Sequence, residues 1–556
     1  MTMTDTPWLD GLTIGDVLRQ TSSRVPSQDA LICTDARKRW TYAELDKAVD
    51  DAAKGLLALG IQKGEHVAIW ATNLPEWAIL QLASARVGIV LVTINPAYRS
   101  SELAYTLQQS DAVALFLTDQ FKTSDYFAIL KECLPDVENA HQGSVNSKDF
   151  PKLRHIVALK NAPSYTLTWQ AMLESGRSVE EEVFNAACTA PKSDEVINVQ
   201  YTSGTTGYPK AAQLTHRNIL FNGWYVTGCQ NITSDDRMCI PVPYYHCFGC
   251  VMGTLGAITR GAAMVIPAEF FDAAKTLKAI EDEQCTTVYG VPTMFIAMLE
   301  HPHFKKGGYP ALRSGIMAGS PCPIEVMKRV VSDMGAREVT IAYGQTETAP
   351  VITQTRAEDS LEWRVETIGR PLPGVEAKII DPVTLETLGN NQQGELCARG
   401  HGIMKGYYKD EASTQKGLLP DGFWRTGDLA TRRGDGNYKI TGRIKEMICR
   451  GGENIYPREI EEYLFTHPAI EQAAIFGVPD DKFGETSAAW IRLKHGHNLT
   501  EDEVKAFCRS GLAYYKCPAY VRMVEEFPQT VSGKLQKFKM RETMIAELGL
   551  KEQKTA

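Results

Sequence analysis

Two hydrophobic rhythms alternate along the first part of the chain. Thr41-Tyr42-Ala43-Glu44 has the form of a helix capping box, and Leu45, Ala48, Val49, Ala52 and Leu56 follow at helical spacing until Gly60. The apolar run Val67-Ala68-Ile69-Trp70 comes next, then a second cap at Asn73 with Glu76, and a further helical stretch. Val87-Gly88-Ile89-Val90-Leu91-Val92 is rich in β-branched residues and predicts a strand. Ser101 to Gln109 predicts a short helix, Ala112 to Leu117 a buried strand, and Ile197 to Tyr201 a half-buried one. This alternation builds a largely parallel sheet covered by helices, with ligands beyond the carboxyl ends of its strands. Residues from about 120 to 150 are polar and without clear period, which predicts a surface insertion.

The pattern changes near Gly442-Arg443-Ile444-Lys445. Glu459 to Phe465 and Glu501 to Cys508 predict helices, and Ala473 to Phe476 and Ala488 to Ile491 predict strands. A chain of 556 residues exceeds one ordinary core. The expected fold class is therefore α/β: a large N-terminal domain of helix-covered sheets, residues 1–444, and a smaller mobile α+β C-terminal domain, residues 445–556.

Composition narrows the function. Hydrophobic residues at 44% and charged residues at 23% describe a soluble globular protein. A net charge of −8 offers no broad basic field, which argues against nucleic acid and leaves anionic substrates to local cations. Thirteen dispersed cysteines predict reduced thiols in a cytoplasmic setting, and Cys247-x-x-Cys250 has no second pair at zinc spacing. No basic-then-apolar leader stands in Met1 to Asp10, and no apolar run approaches the roughly 18 residues of a membrane span. Oligomeric state is not legible in the chain.

The most specific stretch is Thr202-Ser203-Gly204-Thr205-Thr206-Gly207-Tyr208-Pro209-Lys210. Its glycines let backbone approach a ligand, its hydroxyls suit phosphate oxygens, and Lys210 adds a cation. It is not the P-loop of nucleotide hydrolases. Two residues, not four, separate Gly204 from Gly207, and Lys210 is followed by Ala211, which cannot ligate Mg²⁺.

This stretch closely resembles the signature of the acyl-adenylate-forming enzymes, the superfamily of acyl-CoA synthetases, luciferases and peptide-synthetase adenylation domains. Ala211, where the family usually has Gly, is a small departure. Other stretches match in order, from roughly residue 40 to 540. Tyr343-Gly344-Gln345-Thr346-Glu347 resembles the segment whose tyrosine lies by adenine, whose threonine holds the α-phosphate and whose glutamate meets Mg²⁺, a cation that prefers hard oxygen ligands beside phosphates. Thr426-Gly427-Asp428 and Gly442-Arg443 resemble the ribose-binding elements, and Gly319-Ser320-Pro321 the loop against adenine. Taken singly, each also reads as an ordinary turn or surface charge.

The resemblance assigns Lys534, in Pro528-Gln529-Thr530-Val531-Ser532-Gly533-Lys534, as the C-terminal catalytic lysine, although Lys537 and Lys539 nearby also fit a solvated basic tail. A cation has a task there, because a carboxylate attacking the α-phosphate brings two anions together. Lys445 falls at the family's hinge, where a residue absorbs the backbone change between two domain orientations. Gly451 and Gly452 would border a CoA tunnel, and Tyr244-Tyr245-His246-Cys247-Phe248 would edge the acyl pocket, with Tyr245, His246 and Phe248 as its candidate pocket residues. Val291, Met294, Phe295 and the Met317-Ala318-Gly319 loop are candidate apolar walls, and equally candidate core.

What this implies is an ATP- and Mg²⁺-dependent acyl-CoA synthetase acting on a medium- to long-chain fatty acid, most like the medium-chain branch, with CoA as co-substrate. The chain ends soon after the lysine segment, so CoA and not an attached carrier is the expected acceptor. A ligase for a short, branched or aryl acid, a non-catalytic nucleotide-binding protein and a phosphate-releasing ATPase are the alternatives. Glu347, Asp428, Arg443 and Lys534 together argue against lost catalysis.

Overall fold

Two large twisted sheets stand on either side of a layer of helices. The computed structural model describes residues 7–202, 209–320, 322–450, 453–531 and 533–550. One sheet has eight strands in the order 406–407, 210–215, 196–202, 90–93, 66–70, 112–117, 155–158 and 167–168. Its strands run parallel from Val196–Thr202 onward, and Lys210–Thr215 returns antiparallel to Val196–Thr202. The other has nine strands, with a parallel centre running from Asp29–Cys33 through Ala263–Ile266, Arg237–Cys239, Thr287–Gly290 and Ser314–Ala318 to Glu338–Gly344. A single apolar cluster joins Val67 and Leu91 of the first sheet to Leu31, Met264 and Ile316 of the second.

The helices between them are buried for reasons visible in their sequences. Tyr42–Ala58 starts at the predicted capping box, with Thr41 as cap, and inserts Leu45, Val49, Ala52 and Leu56. Helix Pro75–Arg86 shows no polar face and is buried at every position but Glu76, as a helix without a solvent-facing stripe must be. Its terminal Arg86 is tolerated in the interior because Asp46, 2.6 Å away, and Asp50 pair with it.

Three local expectations are corrected. Asn73 does not cap a helix: Leu74 occupies that position, with Pro75 opening the first turn. The strand read from Val87 begins at Val90, because Val87 ends the preceding helix and Gly88 turns the chain at φ +72°. Residues 120–150 are no surface insertion. They hold a two-residue hairpin, helix Tyr126–Cys133 and a 3₁₀ turn, and Phe121, Tyr126, Ile129, Leu130, Val137 and Phe150 enter a core in which Tyr126 stacks on Trp70 at 3.6 Å. The elements there are too short to display a period.

A four-stranded antiparallel sheet follows, 375–380, 393–400, 424–432 and 438–443. Beyond it, a separate five-stranded sheet contains Ile470–Asp480 and Gly484–Leu493, flanked by helices Pro457–Phe465, Glu501–Gly511 and Lys537–Leu548 and built on its own apolar clusters. The predicted α/β class with a large N-terminal part and a smaller α+β part is the observed one. No helix among the described residues is long and apolar enough to cross a membrane.

Candidate functional site

Strands Val196–Thr202 and Lys210–Thr215, which flank the phosphate-type stretch in sequence, pair antiparallel, with Thr202 facing Lys210 and its Oγ1 donating to the Lys210 carbonyl at 3.4 Å. Ser203, Gly204, Thr205, Thr206 and Gly207 lie outside the described residues. Lys210 Nζ donates to Ser413 Oγ at 2.7 Å and sits 5.2 Å from the centre of the Tyr407 ring. Tyr407 comes from the edge strand Gly406–Tyr407, opposite Ala212, and its hydroxyl donates to Glu347 Oε1 at 2.6 Å.

Thr346 and Glu347 open a 3₁₀ turn just after strand Glu338–Gly344, and both are buried. The turn folds back so tightly that a Cβ on Gly344 would fall 1.8 Å from the Pro350 carbonyl oxygen, so only glycine fits there. Tyr343, at the end of the same strand, donates its hydroxyl to Asp428 Oδ2 at 2.7 Å. Asp428 faces Arg443 across neighbouring antiparallel strands, with Oδ1 3.0 Å from Arg443 Nε. Burial, and then the Asp428 charge, push the Tyr343 hydroxyl well above its ordinary range, and Asp428 holds Arg443 still more firmly protonated. The sequence motif 343–347 and the pair 428/443 thus meet at one place.

Lys534 arrives from the small sheet's side on a tight turn, with Thr530 N–H donating to the Lys534 carbonyl at 2.8 Å and Lys534 N–H to Thr530 Oγ1 at 3.0 Å. Gly533 takes φ +77°, and a Cβ there would lie 2.8 Å from Val291 Cγ2 and 2.9 Å from Thr293 Oγ1. Glycine is what lets the turn seat against the start of helix Pro292–Leu299. Burial lowers the Lys534 pKa, as does the Arg443 charge, while Glu347 and Asp428 act the other way. The candidate lysine is therefore in the electrostatic reach of the three groups with which the sequence grouped it. Gly319, at φ +87° after strand Ser314–Ala318, leads into Ser320, and Val291 Cγ1 stands 3.1 Å from where its Cβ would be.

His246 is pushed down to about 3 by burial and by the Lys534 charge, so it is a neutral imidazole, and its Nδ1 accepts from the Phe248 N–H at 3.4 Å. Tyr245 stands edge-on to His246 at 6.3 Å, and Phe248 stacks on Tyr289 at 5.8 Å. Phe248, Val291, Met294 and Ala318 share one apolar cluster, which keeps them as wall candidates. Phe295 and Met317 do not. They pack in a different cluster, with Val288 and Val339.

Sequence reasoning missed what fixes this segment. Asn73, misread as a cap, donates to the Val242 carbonyl at 3.0 Å and accepts from Tyr244 N–H at 2.9 Å. Gln200 lies between the two thiols of the C-x-x-C, accepting from Cys247 Sγ at 3.0 Å and donating to Cys250 Sγ at 3.1 Å. Those cysteines clamp a buried amide. Tyr407 was missed as well, since sixty residues separate it from its partner Glu347 and no local pattern marks it.

Lys445 sits in a 3₁₀ turn, Ile444–Glu446, with burial and the Lys210 charge lowering its pKa. The neighbouring Glu446 is 3.2 Å from Lys537, which also reaches Glu461 at 2.8 Å. Gly451 and Gly452 lie outside the described residues.

Residues 18–408 match the AMP-binding enzyme family, and residues 459–534 match the AMP-binding enzyme C-terminal domain. The chain belongs to the AMP-binding enzymes. Among them it is 49% identical over 539 residues to the Bacillus subtilis (strain 168) protein named "Putative acyl-CoA synthetase YngI", covering 97% of this chain and 98% of that one. It is 38% identical over 552 residues to the human medium-chain acyl-CoA ligase ACSF2, mitochondrial, covering 98% and 89%. The crystal structure of ATP-bound MatB from Rhodopseudomonas palustris superposes with a TM-score of 0.82 at 26% identity, over 95% of this chain and 99% of that one.

The AMP-binding family implies Mg²⁺ together with ATP, and the donor set here fits that pattern. Among the described residues no group of three or more His, Cys, Asp or Glu could hold an ion unaided. A cation brought by phosphates needs only one or two protein carboxylates, and Glu347 is a buried carboxylate of the kind that could serve.

Proposed function

We propose that this chain is an ATP-dependent acyl-CoA synthetase whose acid is a medium- to long-chain fatty acid. The observation that carries the reading is the Tyr343–Asp428–Arg443 contact together with the seating of the Lys534 turn against Val291 and Thr293, which leaves Lys534 in the electrostatic reach of Glu347, Asp428 and Arg443. In this reading a carboxylate oxygen bonds to the α-phosphorus of ATP while the bond to pyrophosphate breaks. The CoA thiol, giving up its proton, then bonds to the acyl carbon as AMP leaves.

Each residue has a task. Thr202, Lys210 and the loop Ser203–Gly207 hold the triphosphate, with Thr346 at the α-phosphate, and Lys534 stabilises the charge that gathers there in the transition state. Glu347 would hold Mg²⁺, which supplies charge neutralisation for the phosphates. Asp428 and Arg443 bind the ribose, and Tyr343, Gly319 and Ser320 border the adenine. Tyr245, His246 and Phe248 line the boundary between the acyl pocket and the thiol, and an uncharged His246 keeps that boundary compatible with a hydrocarbon.

Residues 1–444 and 445–556 act as two domains turning about Lys445, one orientation serving adenylation and the other, with Gly451 and Gly452 near the CoA tunnel, serving thioester formation. The seating of Gly533 against Val291 and Thr293 supports the adenylating orientation as the one seen here. We assign the reaction to a reducing cytoplasmic compartment, a reading supported by thirteen dispersed cysteines without a disulfide framework.

A carboxylic-acid panel, assayed for AMP and pyrophosphate with and without CoA, tests the reading. Medium and long straight chains should give the highest kcat/KM, with acyl-CoA formed only when CoA is added. Preference for an aryl or short acid overturns the substrate, and orthophosphate in place of pyrophosphate overturns the reaction.

A further inference from the structure

Glu347 is gripped at two points. Its backbone carbonyl accepts from Met404 N–H at 2.9 Å, and its side-chain Oε1 accepts from the Tyr407 hydroxyl at 2.6 Å. Both grips come from the short segment 404–407, which is itself fastened to the hairpin that carries Lys210: Gly406 pairs with Gln213, Tyr407 pairs with Ala212, and Lys405 N–H donates to the Gln213 carbonyl at 2.9 Å. The Tyr407 ring is fixed in turn. Trp424 stands edge-on to it at 6.0 Å, Lys210 Nζ lies 5.2 Å from its centre, and Tyr407 N–H donates to Thr414 Oγ1 at 2.8 Å. The phenol is thus a rigid spacer between the cation of one phosphate-binding element and the carboxylate of another.

We infer that Tyr407 is a positioning residue for the metal–triphosphate: by holding one oxygen of Glu347 it aims that carboxylate at the cation that accompanies ATP, in register with Lys210. The inference rests on the reading of Glu347 given above. A hydroxyl bound to one oxygen removes the freedom of the carboxylate to rotate, so the group meets its ion without an ordering cost at the moment of binding. Side-chain partners that orient a metal ligand in this way commonly change metal affinity by about 10- to 100-fold when removed.

The test measures binding, not turnover. Calorimetric affinity for ATP is compared with Mg²⁺ present and with EDTA, in wild type, Tyr407→Phe, Glu347→Gln and the double variant. Tyr407→Phe keeps the ring beneath Lys210, so affinity for metal-free ATP should stay within twofold of wild type while the gain brought by Mg²⁺ falls about tenfold. In the Glu347→Gln background, adding Tyr407→Phe should change nothing further, because the two act through one carboxylate. A full Mg²⁺ gain in Tyr407→Phe, or a fall in metal-free affinity as large as the fall with metal, overturns the inference. A full gain in Glu347→Gln overturns the reading beneath it. Thermal unfolding of each variant separates a folding defect from either result.

Discussion

The carboxylate of Asp428 serves two partners at once: Arg443 Nε lies 3.0 Å from one of its oxygens, and the Tyr343 hydroxyl donates to the other at 2.7 Å. That one side chain joins the paired strands that carry Asp428 and Arg443 to Tyr343, 85 residues before it.

Replacing it tests whether the junction binds nucleotide. Asp428→Asn keeps an oxygen for Tyr343 but loses the charge facing Arg443. ATP affinity should fall by about tenfold, the scale of a hydrogen bond to a charged group, with the acid's KM unchanged. Titration calorimetry with ATP checks this, and an equal loss for both substrates counts against a nucleotide role.

Lys534→Ala should slow adenylation by roughly 10²- to 10³-fold, as when one transition-state donor is removed. It should still convert supplied acyl-adenylate and CoA to product. Because burial and Arg443 lower the Lys534 pKa, its charge is lost as pH rises to a value below the usual 10.5, so adenylation should decline on the alkaline side earlier than an exposed lysine allows. Lys534→Arg should remove that limb from the pyrophosphate-exchange profile, whatever its effect on rate.

Much of this arrangement was legible in the sequence, and the limits have physical causes. The capping box at Thr41 and the strands at 112–117 and 473–476 came from local period, and the grouping of Glu347, Asp428, Arg443 and Lys534 came from the family resemblance. Asn73, Gln200 and Tyr407 did not, since each acts on a partner dozens of residues away. The buried segment 120–150 was misjudged because its elements are shorter than the window in which a period declares itself. Phe295 and Met317 show a further limit: sequence marks a residue as apolar without saying which side of a sheet it faces.

Two buried histidines set a pH window for stability. Burial brings His216 and His401 down to about 4 from the usual 6.5, and His216 Nδ1 accepts from the Ile14 N–H at 3.2 Å. Between pH 6.5 and 4 the unfolded chain binds more protons than the folded one. Their contribution is therefore complete above 6.5 and lost as pH falls toward 4. Urea midpoints measured across that range should drop with acidity, and His216→Gln should lessen the slope. A slope the same as that of wild type would reject this assignment.

Lys445→Pro fixes φ near −65°, within the range that 3₁₀ turns such as Ile444–Glu446 ordinarily use. Pyrophosphate exchange should persist while thioester formation falls by tenfold or more, on the order expected if a hinge can no longer turn. Circular dichroism verifies that the turn tolerates the ring, and equal loss of both half-reactions in a folded variant refutes the hinge.

Val291 is the shim of this molecule. One of its methyl groups sets how near the Gly319 loop comes, the other sets how near the Gly533 turn comes, and the same side chain belongs to the apolar cluster around Phe248 and Met294. A smaller side chain at this position would leave the lysine turn without its stop, and a larger one would push the turn outward, since a packed contact does not absorb a change of even one methyl group. On the proposed reading, in which Val291 walls the acyl pocket, the range of acids admitted and the alignment of the lysine cannot drift independently at residue 291. A lineage that adapts to a bulkier substrate must find its room elsewhere along the pocket, or change the turn at 530–534 in the same step.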